Sequence, residues 1–132
     1  MTSARDPIHA LLRGTPVTIS EKLTLRQVAA VLGAEDIGVA LVERSDGSLG
    51  IVSERDVCRA LADDADPDAV WSADVMTEDL VTARPDERIM TVAFRLIDEG
   101  VRHVVVDGTT IAGIVSSRDV FQVLAEDLLD AQ

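Results

Sequence analysis

Cysteine, aromatic residues and long apolar runs are all scarce in this sequence, and the scarcity of cysteine and of apolar runs each excludes a class of protein. The single cysteine, Cys58, rules out an internal disulfide and indicates a reducing compartment. It lies in a helical pattern, where we expect a small core residue rather than a reactive thiol. No apolar run approaches the ~18 residues of a membrane span, and the N-terminus lacks the apolar core of a signal peptide. The sequence therefore predicts a soluble cytoplasmic protein.

Basic residues are also few, with 12 against 24 acidic residues and a formal net charge of −12. Such a charge repels the phosphates of nucleic acids and of anionic lipids, so we expect neither nucleic acid nor membrane as a partner. His9 and His103 have no metal-ligand spacing with Cys58, and no phosphate-binding loop or serine-nucleophile motif occurs. We therefore expect no metal site, no catalytic cofactor and no enzymatic activity.

The most informative feature that is present is an internal repeat. The octapeptide GIVSERDV at residues 50–57 returns at residues 113–120 as GIVSSRDV, with one mismatch. The match extends outward to apolar positions of the preceding helical pattern, where Leu25, Val28 and Leu32 align with Ile89, Val92 and Leu96. Each copy is too small to bury a good core alone, so we expect the two copies to form one compact module with an aliphatic interior. The first unit is placed at 1–66 and the second at 67–132.

Both copies show the same order of predicted elements: strand, helix, strand, strand, helix. Helical spacing of apolar residues predicts the helices, and short continuous apolar runs predict buried strands. The first copy has strands 17–19, 39–42 and 49–52 and helices 21–32 and 53–62. The second has strands 80–83, 104–106 and 111–115 and helices 87–99 and 117–129. Gly33 is the expected C-cap of the first helix, and the hairpin turns are expected at 45–47 and 107–110. The fold class is α/β.

The stretch between the copies, residues 63–68, is acidic and contains Pro67, which predicts a solvated connector. Trp71 follows it in the sequence, and we expect this side chain to be a packing anchor between the two halves.

The repeated polar cluster supports two interpretations. The pairs Ser53–Asp56 and Ser116–Asp119 fit a helix cap, in which the serine accepts from a first-turn amide and the acid suits the positive helix end. The same geometry also forms an anion site, because first-turn amides point outward and the serine adds a hydroxyl donor. The aspartate could then accept from the two vicinal hydroxyls of a ribose. The residues alone leave both interpretations open.

Basic residues near the cluster could face a phosphate. Arg55 and Arg118 lie inside the two motifs and would supply the positive charge that so acidic a protein needs locally. Arg102 and His103 open the inner strand of the second copy, either as a solvated strand edge or as phosphate contacts. The first copy has no charged residue at those positions. If both sites exist, we expect them to be unequal.

The sequence resembles a tandem pair of cystathionine-β-synthase (CBS) domains, also called a Bateman module. The resemblance rests on the repeated unit ending in Gly-hydrophobic-hydrophobic-Ser/Thr-x-x-Asp, on Asp74-Val75-Met76-Thr77 before the second copy, and on the inner strand at 101–106. It covers nearly the whole chain, so we expect no attached catalytic or transport domain. It implies two CBS units packed with pseudo-two-fold symmetry around two clefts.

The resemblance also implies a ligand and its contacts. CBS pairs usually bind adenosine-containing ligands such as AMP, ADP or ATP, sometimes NAD or S-adenosylmethionine, and they commonly dimerise into a flat disc. In the family the serine and aspartate of the motif contact phosphate and ribose, which carries over to Ser53, Asp56, Ser116 and Asp119. The basic strand residue carries over to Arg102 or His103. Backbone near the first strand of each copy lines the base pocket, here at Val17 and Val81.

Two functions are compatible with the sequence. The first is a stand-alone, homodimeric regulatory sensor without catalytic activity, in which a bound adenine nucleotide changes a packing that an unidentified protein partner reads. The alternative is a dimerisation or protein-interaction module without a ligand, in which the Ser-x-Arg-Asp motifs are only helix caps.

Overall fold

The structure, a computed structural model, describes residues 1–108 and 111–131. Its strands are β1 (Thr18–Ser20), β2 (Val39–Glu43), β3 (Leu49–Ser53), β4 (Thr82–Ala83), β5 (His103–Asp107) and β6 (Ile111–Ser116). Its α-helices are α1 (Leu25–Glu35), α2 (Glu54–Ala62), α3 (Ser72–Val75), α4 (Ile89–Glu99) and α5 (Ser117–Asp130), and a 3-10 turn spans Ile8–Leu11. Both predicted strand-helix-strand-strand-helix series are present, so the α/β fold class is confirmed. Thr109 and Thr110 of the predicted second turn lie outside the described residues.

Helix α1 differs from its predicted bounds at both ends. It begins at Leu25 because Thr24 caps it: the Thr24 hydroxyl accepts from the Gln27 amide, and the Gln27 side chain accepts from the Thr24 amide. The predicted C-cap at Gly33 is wrong, since Gly33 lies inside the helix. The cap is Asp36 in the left-handed conformation, with φ of 53°. Aspartate is one of the few non-glycine residues that adopts this conformation readily, so the helix continues past the glycine.

The strands form two three-stranded sheets of the same topology. In the first sheet β1 is parallel to β2 and β2 is antiparallel to β3, with Val39 opposite Ser53. In the second, β4 is parallel to β5 and β5 is antiparallel to β6, with His103 opposite Ser116. Helices α1 and α4 provide the crossovers that the parallel pairs require. In each sheet the first two strands therefore begin, and the third strand ends, at one shared edge.

Residues Val17–Leu80 form one compact unit, which we call the contiguous unit. Its core is aliphatic, and its buried cluster consists of Ile19, Leu25, Val28, Leu32, Ala40, Val42, Val52 and Val57. The chain after α2 returns to this core: the Leu25 amide donates to the Val70 carbonyl at 2.8 Å, and the Ser72 amide donates to the Leu23 carbonyl at 2.7 Å. Trp71 in this returning segment keeps 43% of its surface exposed.

The N-terminal segment Met1–Pro16 and the chain from Val81 onward form the other compact unit, which we call the split unit. Its buried cluster consists of Ile8, Ala83, Ile89, Val92, Ala93, Leu96, Val104, Val106, Val115, Val120 and Val123. The Ile8 amide donates to the Glu87 carbonyl at 2.7 Å, and the Ile89 amide donates to the Asp6 carbonyl at 2.9 Å. The N-terminal segment is therefore part of the unit that contains the second repeat.

The compact units and the sequence repeats have different bounds. Dividing the sequence into 1–66 and 67–132 assigns the N-terminal residues to the first repeat, whereas the structure groups residues 1–16 with the second repeat and residues 67–80 with the first. Ile8 and Ser72 occupy equivalent positions one repeat apart, and both are fully buried. Each repeat is thus completed by the segment that leads into the other repeat.

One sequence expectation about exposure is wrong. Cys58 is exposed rather than part of the core. Val57 takes the buried position on α2, and the next residue points roughly 100° away around the helix. Among the described residues, no helix is long and apolar enough to cross a membrane.

Glu87 is expected to give the split unit a stability that depends on pH. Its carboxylate accepts hydrogen bonds from the Arg95 guanidinium and from the Arg84 amide, and the Arg95 contact is the main reason that the pKa of Glu87 is lowered. The stabilisation is fully present above 4.5, the ordinary pKa that Glu87 has when unfolded, and is lost as the pH falls through the lowered pKa.

We therefore expect Glu87→Gln to reduce the free energy of unfolding by about 1 kcal/mol near neutral pH, and by less as the pH falls into the acid range. Denaturant titrations of both proteins over a pH series measure this difference. Asp86→Asn is the matched control, because Asp86 forms only a distant, exposed pair with Arg84 at 3.8 Å. A Glu87→Gln effect that is the same at every pH would contradict the ionic origin.

Candidate nucleotide-binding edges

At the shared edge of the first sheet, the predicted motif forms a closed helix cap. Ser53 is the N-cap of α2, and its Oγ accepts from the Asp56 amide at 3.2 Å. The Asp56 carboxylate accepts in return from the Ser53 amide at 2.9 Å and from the Ser53 hydroxyl at 3.0 Å. The capping-box interpretation is therefore confirmed for this copy. We call this surface the contiguous-unit edge, formed by Val17, Gly38, Ser53, Glu54, Arg55 and Asp56.

The same edge of the second sheet has a more open arrangement. Ser116 is the N-cap of α5, and its Oγ accepts from the Asp119 amide at 3.2 Å. The Ser117 amide donates to the Arg102 carbonyl at 2.7 Å, which ties the start of α5 to the start of β5. His103 lies opposite Ser116 in the ladder. We call this surface the split-unit edge, formed by Val81, Arg102, His103, Ser116, Arg118 and Asp119.

The two aspartates of the motif differ in what they contact. The Asp56 carboxylate is held by the Ser53 amide and hydroxyl. Within the part of the chain that the structure describes, no hydrogen bond reaches the Asp119 carboxylate, although its amide is bound in the same way as that of Asp56. Asp119 is half-buried. The split-unit edge therefore offers the partly desolvated Asp119 carboxylate as a hydrogen-bond acceptor. At the contiguous-unit edge the Asp56 carboxylate already accepts hydrogen bonds from Ser53.

The charge at the two edges also differs. The one mismatch between the octapeptides places Glu54 in the first copy and Ser117 in the second. The Glu54 carboxylate lies beside Gly38, with Oε2 3.8 Å from where a Cβ on that glycine would stand. The position equivalent to Gly38 in the second copy is Arg102, which is exposed. The contiguous-unit edge thus has one more acid and one fewer base, so an anionic ligand is electrostatically favoured at the split-unit edge.

The structure places the predicted site residues of each repeat at the shared edge of that repeat's own sheet. Val17 and Val81 are the residues immediately before β1 and β4. The Val17 carbonyl accepts from the Leu41 amide and the Val81 carbonyl from the Val105 amide, both at 2.9 Å. Arg55 and Arg118 are exposed on the first turns of their helices. Sequence reasoning overlooked Glu54, although the single mismatch in the repeat was the available signal. A ligand-binding role for these residues stays a prediction.

The motif glycines accommodate the chain itself. A Cβ on Gly50 would lie 2.9 Å from the Met76 Sδ and 2.9 Å from the Thr77 carbonyl oxygen. A Cβ on Gly113 would lie 2.8 Å from the Leu12 Cδ2. Met76 and Leu12 are equivalent residues of the two segments that precede the repeats, residues 67–80 and 1–16, which we call the lead-in segments. At both glycines the close approach is therefore made by the lead-in segments.

A shallow depression of about 560 Å³ lies at the opposite end of β1 and β2, and sequence reasoning did not indicate it. Lys22 and Arg44 line it, but Arg44 is paired with Glu21 and Glu78. Hydrogen bonds from Ser45 lower the pKa of Glu21 and keep it anionic. The acidic and basic side chains that line this depression therefore largely balance each other's charge.

Among the residues described, no group of three His, Cys, Asp or Glu side chains could hold a metal ion.

Comparison with known proteins adds the family to this geometry. The family model of the CBS domain matches twice, at residues 8–63 and 72–126. Protein MJ1225 of Methanocaldococcus jannaschii is 27% identical over 129 residues, which are 96% of this chain and 46% of MJ1225. The chain therefore spans about half the length of that relative.

Two solved structures have the same fold. The CBS domain protein PAE2072 from Pyrobaculum aerophilum, complexed with AMP, matches with a TM-score of 0.79 at 27% identity, over 93% of this chain and 98% of that one. The CBS domain pair of protein MJ0100, in complex with 5′-methylthioadenosine and S-adenosyl-L-methionine, matches with a TM-score of 0.79 at 24% identity, over 91% and 96%. The chain belongs to the CBS domain family and carries two CBS domains in tandem.

Proposed function

We propose that this protein is a regulatory, non-catalytic CBS-pair protein that binds an adenine nucleotide, with its stronger site at the split-unit edge. The observation that carries the proposal is the Asp119 carboxylate, which accepts no hydrogen bond from the described residues and lies beside the first turn of α5 and near the start of β5. A carboxylate can accept from both hydroxyls of a ribose. First-turn amides and the exposed Arg102 suit a phosphate.

A solved structure that contains a nucleotide indicates which ligand to test first. PAE2072 carries AMP and is 27% identical over nearly the whole of this chain. In our proposal Ser116 and Arg118 contact the phosphate with Arg102 or His103, and backbone near Val81 faces the base. ADP, ATP, NAD and S-adenosylmethionine are the remaining candidates. The equivalent residues of the contiguous-unit edge form a weaker second site, because Glu54 repels a phosphate there.

The alternative, a module that interacts with proteins and binds no nucleotide, is favoured by one specific observation. In the contiguous unit the motif is fully used as a helix cap, with Ser53 and Asp56 satisfying each other's backbone amides. If the same use explains Ser116 and Asp119, neither motif needs a ligand. The two functions differ in whether any adenine nucleotide binds at all.

We further propose that the protein acts as a homodimer in a reducing, cytoplasmic environment, where a partner protein reads the nucleotide-dependent packing. A ligand shifts such an equilibrium only through its different affinity for the two packings. Cys58 is the single cysteine of the chain and is exposed, so oxidation of its thiol would crosslink two chains. Such a cysteine is compatible with a reducing environment.

A thermal-shift panel with AMP, ADP, ATP, NAD and S-adenosylmethionine tests the proposal. A ligand present at about 100 times its dissociation constant adds ~2.7 kcal/mol to the free energy of unfolding. In a chain of this size that raises the midpoint by several degrees. We expect AMP to be among the ligands that raise the midpoint. No shift with any of the five at millimolar concentration would leave the ligand-free module as the better explanation.

A further inference from the structure

The two lead-in segments differ in how they meet the sheet beside them. In the contiguous unit, Thr77 forms an antiparallel bridge with Ile51: the Ile51 amide donates to the Thr77 carbonyl at 2.9 Å, and the Thr77 amide donates to the Ile51 carbonyl at 2.8 Å. Thr77 thereby extends the first sheet beyond β3. The residues equivalent to Thr77 and Ile51 are Arg13 and Ile114. Within the described residues, no backbone hydrogen bond joins Arg13 to Ile114.

The outer edge of β6 is open at Ile114. The Val105 amide donates to the Val81 carbonyl at 2.9 Å, so the backbone polar groups of Val105 face β4 rather than β6. Val105 lies opposite Ile114 in the antiparallel ladder, and the two are therefore a pair without mutual hydrogen bonds. The amide and carbonyl of Ile114 consequently point away from β5, as those of Ile51 point away from β2. An open strand edge of this kind is a template for pairing with an extended segment.

The lead-in segment that fits this edge is already anchored next to it. Leu12 packs against Gly113, with its Cδ2 2.8 Å from where a Cβ on that glycine would stand, and Met76 lies against Gly50 in the same way. Each glycine immediately precedes the isoleucine whose outer edge is open or bridged. The two segments therefore match up to the residue before the bridge, and they differ from Arg13 onward.

Gly14 is the residue at which the two segments diverge. Its φ of 65° lies in the left-handed region, which turns the chain out of the path of a strand, whereas the equivalent Glu78 has no positive φ. Glycine adopts this conformation at little cost, and most other residues do not. A Cβ on Gly14 would meet no atom of the described residues within 4 Å. The backbone conformation, and not crowding, is therefore what favours glycine here.

We propose that residues 13–16 are a strap, hinged at Gly14, which moves between the open position of this structure and a docked position in which Arg13 pairs with Ile114. The docked strap adds a strand to the second sheet and covers the edge of β6, two residues before the Ser116 cap. The open strap leaves that edge uncovered. Because residues 13–16 lead from the split unit to the contiguous unit, docking also removes free chain from this connection. The inference is independent of the proposed nucleotide and of the proposed homodimer.

Amide hydrogen exchange of the full chain, resolved at Ile51 and Ile114 by NMR, tests the strap. Both amides lie in the same tripeptide, Gly-Ile-Val, so their intrinsic exchange rates are equal and a difference between them reports on structure. We expect Ile114 to exchange at least about tenfold faster than Ile51, because only the Ile51 amide is bonded to a lead-in segment. Equal protection of the two amides in the wild type would show that Arg13 is already docked, and it would overturn the proposal.

Gly14→Ala is the variant that should close the strap. Alanine disfavours the left-handed conformation by roughly tenfold, so Ile114 exchange should slow severalfold. Gly14→Asn is the matched control, because asparagine adopts that conformation more readily and should leave exchange fast. Adding Arg13→Pro to Gly14→Ala should remove the gain, since proline has no amide to donate to the Ile114 carbonyl.

A loss of stability would speed this exchange rather than slow it, so a partly unfolded variant does not imitate the expected result. Circular dichroism should show that the variants remain folded, because a side chain at Gly14 has open space around it. Ile114 exchange that Gly14→Ala leaves unchanged, or that Gly14→Asn slows equally, would refute the hinge.

Discussion

Asp119→Ala is expected to weaken AMP binding by about ten- to a hundredfold. The net loss is expected to equal about one hydrogen bond to a charged group, or about 1.5–3 kcal/mol in total, and ~1.4 kcal/mol is a factor of ten in affinity. The stability of the protein should change little, by about 0.5 kcal/mol at most, because no described residue bonds to this carboxylate and only its favourable position at the helix end is lost. Isothermal titration with AMP and denaturant unfolding measure the two quantities.

Asp56→Ala is the matched control and should behave in the opposite way. Its carboxylate closes the cap of α2 through the Ser53 amide and hydroxyl. Removing it should cost about 1 kcal/mol of stability, while the stronger AMP site remains. The same substitution in two copies of one motif thus separates a ligand contact from a structural cap. AMP binding that survives in both single variants and in the double variant would show that the ribose contact has been assigned to the wrong residues.

Ile8→Ala is expected to lower the free energy of unfolding by about 2–5 kcal/mol, the usual cost of truncating a fully buried isoleucine. Ile8 has no exposed surface and belongs to the buried cluster of the split unit, where its amide also binds the Glu87 carbonyl. Urea unfolding followed by circular dichroism measures the change. A loss of that size is a substantial part of the stability of a domain this small.

His9→Ala is the control for Ile8→Ala, because His9 is the next residue, belongs to the same 3-10 turn and is exposed. We expect it to change stability by no more than about 0.5 kcal/mol. If Ile8→Ala were equally mild, the N-terminal segment would not be an integral part of the split unit. A loss of stability confined to the N-terminal segment, with the rest of the split unit unfolding as in the wild type, would also weaken that conclusion.

The segment around Ile8 shows where sequence reasoning stopped short. The repeat predicted the strands and helices of both copies because apolar periodicity is a local property of the chain. It gave no reason to connect residues 1–16 with residues 81 onward, since Ile8 aligns with Ser72, a polar residue that is buried only because its hydroxyl donates to the Ser20 carbonyl at 2.7 Å. An apolar residue and a satisfied polar residue fill the same place, and no pattern of hydrophobicity reveals that equivalence.

The site residues show the same division. The repeated motif predicted the same polar cluster at two strand-to-helix turns, either as helix caps or as anion sites, and Arg102 with His103 was the expected source of inequality between the two. The structure adds two further differences: the Glu54 carboxylate lies beside Gly38, and the Asp119 carboxylate accepts no hydrogen bond from the residues that the structure describes. Both depend on side-chain positions several residues apart, so they follow from the folded geometry rather than from the motif.

By itself the sequence determined the duplication, the α/β class, the aliphatic core and the place of each Ser-x-Arg-Asp motif at a strand-to-helix turn, because all of these follow from local spacing and composition. The tertiary structure decided which lead-in segment completes which repeat and which helix face is left apolar and exposed. It also decided which of the two equivalent aspartates has a carboxylate that accepts no hydrogen bond from any described residue. These depend on contacts between residues far apart in the chain. One octapeptide with a single mismatch therefore forms a closed cap in one unit and an open edge in the other.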